Sequence, residues 1–338
     1  MGRISKFLIN NFFKVFIPLF FTLFFIAAIM FFIMISRFTS YLSLTFLELG
    51  EIFVYLLPKI IIYTLPVSFF ISMAMTALNM SKESENIVLF SFGYSPKKMA
   101  RVYFFLAFFV SVFLLVNSVF ILPIAKQLYK NFLEVKKVEA KINIKPTEFG
   151  QKFSDWIVFI NKADNKGYKD IVLYNQNSKK DTFILANHAK LNRQTGLLNL
   201  SLAKGKVFYI EREDIRQIDF SNMNINNFLR AEELRDDTVL EYWMKAFDDK
   251  KRAKDFSFLI LISAFPMVSY LFALAIGTVH IRHDRVRIYP YLFAIVIAYY
   301  ILSVIFSKNA PFVGILAVPF IFYVISKITF RKRVLRRF

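Results

Sequence analysis

Apolar residues gather into six long runs that carry no charged side chain. They are Val15–Ser36 with 22 residues, Ile60–Met80 with 21, Val102–Ala125 with 24, Phe256–Val279 with 24, Ile288–Ser307 with 20 and Ala310–Ser326 with 17. A helix needs about 20 apolar residues to cross a hydrocarbon core, so each run reads as a membrane span. The sixth reaches Phe330 if Lys327 snorkels to the headgroups. Only Lys308-Asn309 separates the last two runs, which predicts a tight helical hairpin. Barrel strands would alternate over about ten residues, and these runs are continuous. The first run is too long for the apolar part of a signal peptide, and no small-residue cleavage site follows it.

Between the third and fourth runs the pattern changes. Lys126–Glu139 reads as a helical continuation of the third span. Short apolar stretches then alternate with turn signals: Trp156–Asn161, Ile171–Tyr174, Thr182–Ala186, Leu197–Leu202 and Val207–Ile210, with Ile215–Phe220 and Met223–Phe228 as weaker candidates. Leu191 to Gly196 and Lys204-Gly205 read as turns, and 230–255 as one charged helix leading into the fourth span. Short strands with no long helix between them predict a β-sandwich or an open barrel. The expected architecture is a polytopic α-helical membrane protein of six spans, three plus three, with an inserted all-β domain. Its expected parts are 1–125, 126–255 and 256–338.

Composition changes the picture at one point. The chain of 338 residues has 44 Lys+Arg, 24 Asp+Glu and a net charge of +20, a balance that first suggests nucleic acid. The short loops on one side of the six spans hold 16 basic residues and three acids, whereas the opposite short loops hold three and two. The segment 126–255 mixes 25 basic with 19 acidic residues. Most of the excess therefore orients the spans, with both termini expected in the cytoplasm, and the long segment 126–255 can be translocated despite its charge. No nucleic-acid face is left. The absence of Cys fits an oxidising and a reducing compartment equally.

Chemistry-bearing motifs are missing. No Gly-x-x-x-x-Gly-Lys-Ser/Thr, Gly-x-Ser-x-Gly or His-Glu-x-x-His run occurs, so no cofactor or nucleotide site is expected. His280 and His283 are three apart, which suits either a metal pair or, far more simply, a basic collar with Arg282 and Arg285. His188 reads as a surface residue of the insert. The span cores hold no ionisable acid, base or His, which argues against a proton relay.

The stretch 81–98, between the second and third spans, is the most informative. Ser81 reads as the cap of a short helix, with Glu83 and Glu85 complementing its N-terminal dipole. Ile87, Phe90 and Tyr94 are expected to share a face, Gly93 to end the helix, and Pro96 to start the next. Two readings stand side by side. The acids either stabilise the helix end or meet basic residues of an attached ATPase.

Glu83-Ser84-Glu85, with Gly93 eight residues after Glu85 and then Ser95, resembles the coupling-helix motif of the LptF/LptG (YjgP/YjgQ) permeases. Pro58 and Pro66 resemble that family's prolines in span two. Asp155-Trp156-Ile157-Val158 and Thr182–Leu191 resemble strands of its periplasmic jellyroll. Ser36-Arg37-Phe38-Thr39 and the acidic triplet lie nearer LptF than LptG. The chain is somewhat short for the family.

The resemblance implies an inner-membrane ABC-transporter subunit for lipopolysaccharide export. It implies pairing with a second LptF/LptG-type permease, an LptB ATPase dimer on the cytoplasmic side, and transfer of lipid A through the jellyroll to LptC and LptA. Glu83, Glu85, Phe90 and Gly93 would couple to the ATPase, and spans one and five would form lateral gates. Arg37, and less directly Lys59 and Lys308, would meet lipid A phosphates, the alternative being interfacial anchoring. Phe24, Phe25, Phe31 and Phe32 would line an acyl-chain cavity or simply face lipid. Two further classes stay open at this stage: a non-transporting scaffold, and a lipid-modifying enzyme using Glu48 and Glu51.

Overall fold

The computed structural model describes residues 2–39, 44–142, 151–153, 156–164, 167–176, 181–194, 197–210, 215–226, 237–279 and 288–336. The pair His280 and His283, and Asp155, lie outside them. The helices are α1 (Arg3–Thr39), α2 (Phe46–Lys82), α3 (Glu85–Ser91), α4 (Pro96–Val116), α5 (Leu122–Ile142), α6 (Val239–Met244), α7 (Lys250–Gly277), α8 (Ile288–Asn309) and α9 (Pro311–Phe330). The strands are β1 (Gln151–Phe153), β2 (Trp156–Asp164), β3 (Gly167–Gln176), β4 (Asp181–Gln194), β5 (Leu197–Ile210) and β6 (Ile215–Asn226). Among the described residues, six helical segments are long and apolar enough to span a membrane, in the six places the apolar runs predicted. The chain divides into two compact units.

The first unit comprises residues 1–36, 47–126 and 237–338. Its centre is the pair α2 and α7. Both are rich in buried small residues, Ser68, Ser72, Ala74, Thr76 and Ala77 on α2 and Ser263, Ala273 and Gly277 on α7. Small side chains let two backbones approach closely in lipid, where no hydrophobic effect drives helices together. At Gly277 the approach leaves no room for a side chain: a Cβ there would overlap Ala74 O and come within 2.6 Å of Ala77 Cβ. Phe265 is fully buried beside Phe70, Tyr299 and Tyr300.

The third span is not one regular helix. A π-helical turn, Asn117–Ile121, joins α4 to α5. Asn117 Nδ2 donates to Pro58 O at 3.1 Å, and Ser118 Oγ meets Ser263 Oγ at 3.1 Å. Side chains on the wider turn thus reach the neighbouring helices α2 and α7.

Residues 237–255 differ from expectation. They form two helices with a break, not one. Thr238 and Glu241 make a reciprocal capping box that starts α6, and Asp249 accepts from Lys251 N to start α7 afresh. A second N-cap ends the first helix by supplying the partners that a new one needs.

The second unit comprises residues 37–46 and 127–236. Its six strands form one antiparallel sheet in chain order, β1 to β6. Val158, Ile160, Ile171, Leu173, Ile184, Ala186 and Val207 build its apolar face, with Val135 of α5 packed on it.

Two expected turns are strand instead. β4 continues through Leu191 to Gln194, and β5 runs straight through Lys204-Gly205. The cause is a crease across the sheet. Asn161, Asp170, Asn187, Lys204 and Ser221 sit side by side and drop out of the strand pairing, while the register on both sides is unchanged. Asp170 and Lys204 hold left-handed φ angles of 54° and 52°. The unpaired position falls at the same place in five strands, and the apolar alternation shifts phase in step: Ala186 and then Ala189 are buried on β4, Leu202 and then Val207 on β5. A turn-like break in one strand's pattern is here an unpaired position shared by its neighbours, with the register kept.

Candidate functional site

α2 continues through Ser81 to Lys82, so Ser81 does not cap the next helix as the sequence suggested. A left-handed Ser84, φ 60°, makes the corner, and α3 begins at Glu85. Ser81 is buried and shares its hydroxyl proton between Ala77 O at 2.9 Å and Gly277 O at 3.2 Å. It also accepts from Val279 N at 3.3 Å and from Asn86 Nδ2 at 2.8 Å. Asn86 Nδ2 lies 3.2 Å from Ala77 O as well. This knot ties α3 to the C-terminal ends of both α2 and α7. Each buried polar group in it has a partner, apart from Asn86 Oδ1.

The C-terminal end of α3 is as predicted. Tyr94 N donates to Leu89 O at 3.1 Å and Gly93 N to Phe90 O at 3.0 Å, with Gly93 at φ 80°. These two bonds form a Schellman closure, which needs a left-handed residue at the glycine position. Pro96 then opens α4, and Ser95 Oγ accepts from Lys98 N at 3.4 Å.

The knot sets which way α3 faces. Asn86, Leu89, Phe90 and Tyr94 lie inward, the last three against the span core. Ile87 does not share that face: Ile87, Val88 and Phe92 are 45%, 50% and 86% exposed. Glu83 is exposed in the corner before α3, and Glu85 is half-buried in its first turn. Asn11 Nδ2 of α1 reaches Glu85 Oε2 at 3.4 Å. Partial burial raises the Glu85 pKa, the Glu83 charge raises it further, and Lys14 pulls the other way. Neither acid is in an ion pair among the described residues. The arrangement presents an acidic, partly apolar knob on a rigid mount.

Of the three cations expected to meet phosphate, Lys59 and Lys308 have described side chains. Lys59 is half-buried, with its ammonium 5.4 Å from the Phe31 ring centre. Lys308 is exposed near the end of α8. Arg37 is on the last turn of α1, and its side chain is outside the described residues. On α1, Phe31 is half-buried under Lys59 and Phe24 is half-buried, while Phe25 and Phe32 are exposed. Glu51 accepts a hydrogen bond from Tyr55 at 2.5 Å, which occupies one carboxylate oxygen of the pair considered for enzyme chemistry. No metal-holding cluster occurs among the described residues. His188 is exposed on β4, paired with Lys169 and Ala203.

Sequence reasoning missed Asn86 and the true role of Ser81. A polar residue inside an otherwise inward face, three before Leu89, is the signal that was available.

Six apolar spans, an inserted antiparallel β sheet and a short helix between spans two and three define a polytopic helical membrane protein with a β domain. The family model for lipopolysaccharide export system permease LptF/LptG matches residues 6–332, and the chain belongs to that family. It is thus a multi-pass inner-membrane permease of lipopolysaccharide export, and the match applies to LptF and LptG alike. No protein of curated function matches the chain.

Proposed function

We propose that the chain is one permease half of an exporter driven by a separate ATPase, with α3 as the coupling element. One observation supports this most: α3 is held by buried hydrogen bonds to both central spans, while Glu85, Ile87, Val88 and Phe92 remain available to a partner. Force on such a mount moves α2 and α7 together, because the knot ends on both.

In this reading both termini are cytoplasmic, as the basic short loops favour. An LptB dimer docks on α3 and on its counterpart in a second permease. Glu85 and Glu83 meet basic groups in the ATPase groove, Phe90 braces the helix from within, and Gly93 shapes its exit. Lipid A leaves the outer leaflet of the inner membrane between the two permeases. It passes along the apolar face of the β sheet towards LptC and LptA. Arg37, Lys59 and Lys308 lie on elements that end on the periplasmic side and attract its phosphates. LptF is the favoured member of the pair.

The test is export by the reconstituted complex. The chain alone should hydrolyse no ATP. Glu85→Ala should lower ATPase docking or coupled export on the order of tenfold, as loss of one partner of an interfacial charge pair does, with thermal stability unchanged. Normal export by that variant would refute the coupling role.

A further inference from the structure

We propose that residues 240–247, α6 together with the turn that follows it before α7, form an anchor lying in the membrane interface, with Leu240, Met244 and Phe247 inserted among the lipids. Leu240 and Met244 are i and i+4 on α6, and Phe247 is in the turn that follows. They are 74%, 60% and 76% exposed. The opposite side is fixed to the span bundle. Trp243 and Ala246 are buried, and Trp243 Nε1 donates to Val119 O in the π-helical turn at 2.7 Å. Arg252 lies over the Tyr242 ring at 4.8 Å and donates to Tyr242 O at 3.0 Å, which braces the segment against the start of α7. The apolar trio cannot turn inward without breaking these contacts.

Lipid is the occupant that the surroundings select. The Phe247 ring stacks on Phe312, centroids 5.3 Å apart and planes 8° from parallel. Phe312 is in the first turn of α9, a membrane span, and Val313, Leu316 and Phe320 continue its exposed apolar stripe. The trio therefore prolongs a surface that already faces lipid, at the level where the span begins. Tyr242 and Trp243 are of the residue types that concentrate at this level. Acidic and basic residues balance across 237–255, five of each, so attraction to anionic lipid is not needed. A short segment with an apolar outward side and polar flanks lies along the interface and does not cross it.

The chain has no Cys, so single cysteines can be introduced into it without background. A nitroxide label at Met244→Cys, Phe247→Cys or the reference Asp248→Cys would be read in phosphatidylcholine vesicles holding the full chain. Its collisions with oxygen are compared with those with a water-soluble nickel chelate. Labels at 244 and 247 should favour oxygen several-fold over the label at 248. Equal preference for nickel at all three positions would overturn the proposal. Low collision with both reagents at 244 and 247 would also overturn it, since that pattern means protein covers the patch. The reading needs neither ATPase nor substrate, so it stands or falls apart from the coupling role of α3.

Discussion

The two central spans and the peripheral ones solve the same solvent problem in opposite ways. In α7 and α2, 83% and 72% of the apolar stretch is buried by the protein; in α1 only 6% is, and in α8 and α9 22% each. Yet α1 is the most hydropathic span and α2 the least. Hydropathy reports suitability for lipid, not burial in protein. Burial instead leaves a signature of Ser, Thr, Ala and Gly, because close backbone approach is what holds helices together in a bilayer. Peripheral spans keep Phe and Ile outward, where lipid or a second permease must cover them.

The largest test of that contrast is Phe265→Ala. Phe265 is fully buried between α2 and α8 partners, and removing such a ring costs about 3–5 kcal/mol through lost contacts and a cavity. Phe25→Ala on α1, where the ring is 58% exposed, should stay within about 0.5 kcal/mol in the isolated chain. Both are read by reversible unfolding in detergent micelles. Equal losses would erase the distinction between hub and periphery.

Next in size is Gly277→Ala. Its new methyl overlaps Ala74 O, a backbone atom that cannot rotate away, so a loss of about 1–3 kcal/mol is expected. Gly50→Ala, on α2 with nothing within 4 Å, should gain a little from helix propensity, up to about 1 kcal/mol. The same unfolding assay ranks the pair. A neutral Gly277→Ala would mean that α2 and α7 part more easily than their contact implies.

Features set by local stereochemistry were legible in the sequence. The six spans follow from uncharged length, the Gly93 closure from its left-handed position, and the start of α4 from Ser95-Pro96. Thr238-x-x-Glu241 was equally legible as a helix start, and reading it would have divided 230–255 correctly. What needed the fold was non-local. Ser81 resembles a cap until α2 is seen to continue through it, and its partner Gly277 O is 196 residues away. Asn86 has no motif, only a place in that knot. Lys204-Gly205 reads as a turn in its own strand, and only the neighbouring Asp170 and Asn187 reveal an unpaired position shared across the sheet.

The smallest expected effect concerns the mount that joins hub to solvent. Glu85 is carried by a helix anchored on α2 and α7, yet its carboxylate is only partly withdrawn from water. Its pKa is raised mainly by that burial, with Glu83 adding to it. An acid with a raised folded-state pKa favours the folded state most below its unfolded value, about 4.3. That contribution is lost as pH rises from there through the folded-state pKa. Stability should therefore fall slightly over this interval, and Glu85→Gln should flatten that part of the profile. ATPase docking, if it uses the ionised Glu85 as proposed, should run the other way and strengthen over the same interval. The two opposed slopes, read by thermal unfolding of the chain and by ATPase co-purification across pH, belong to one carboxylate. If Glu85→Gln leaves both unchanged, the acid that tunes α3 is another, and Glu83 in the preceding corner is the next to test.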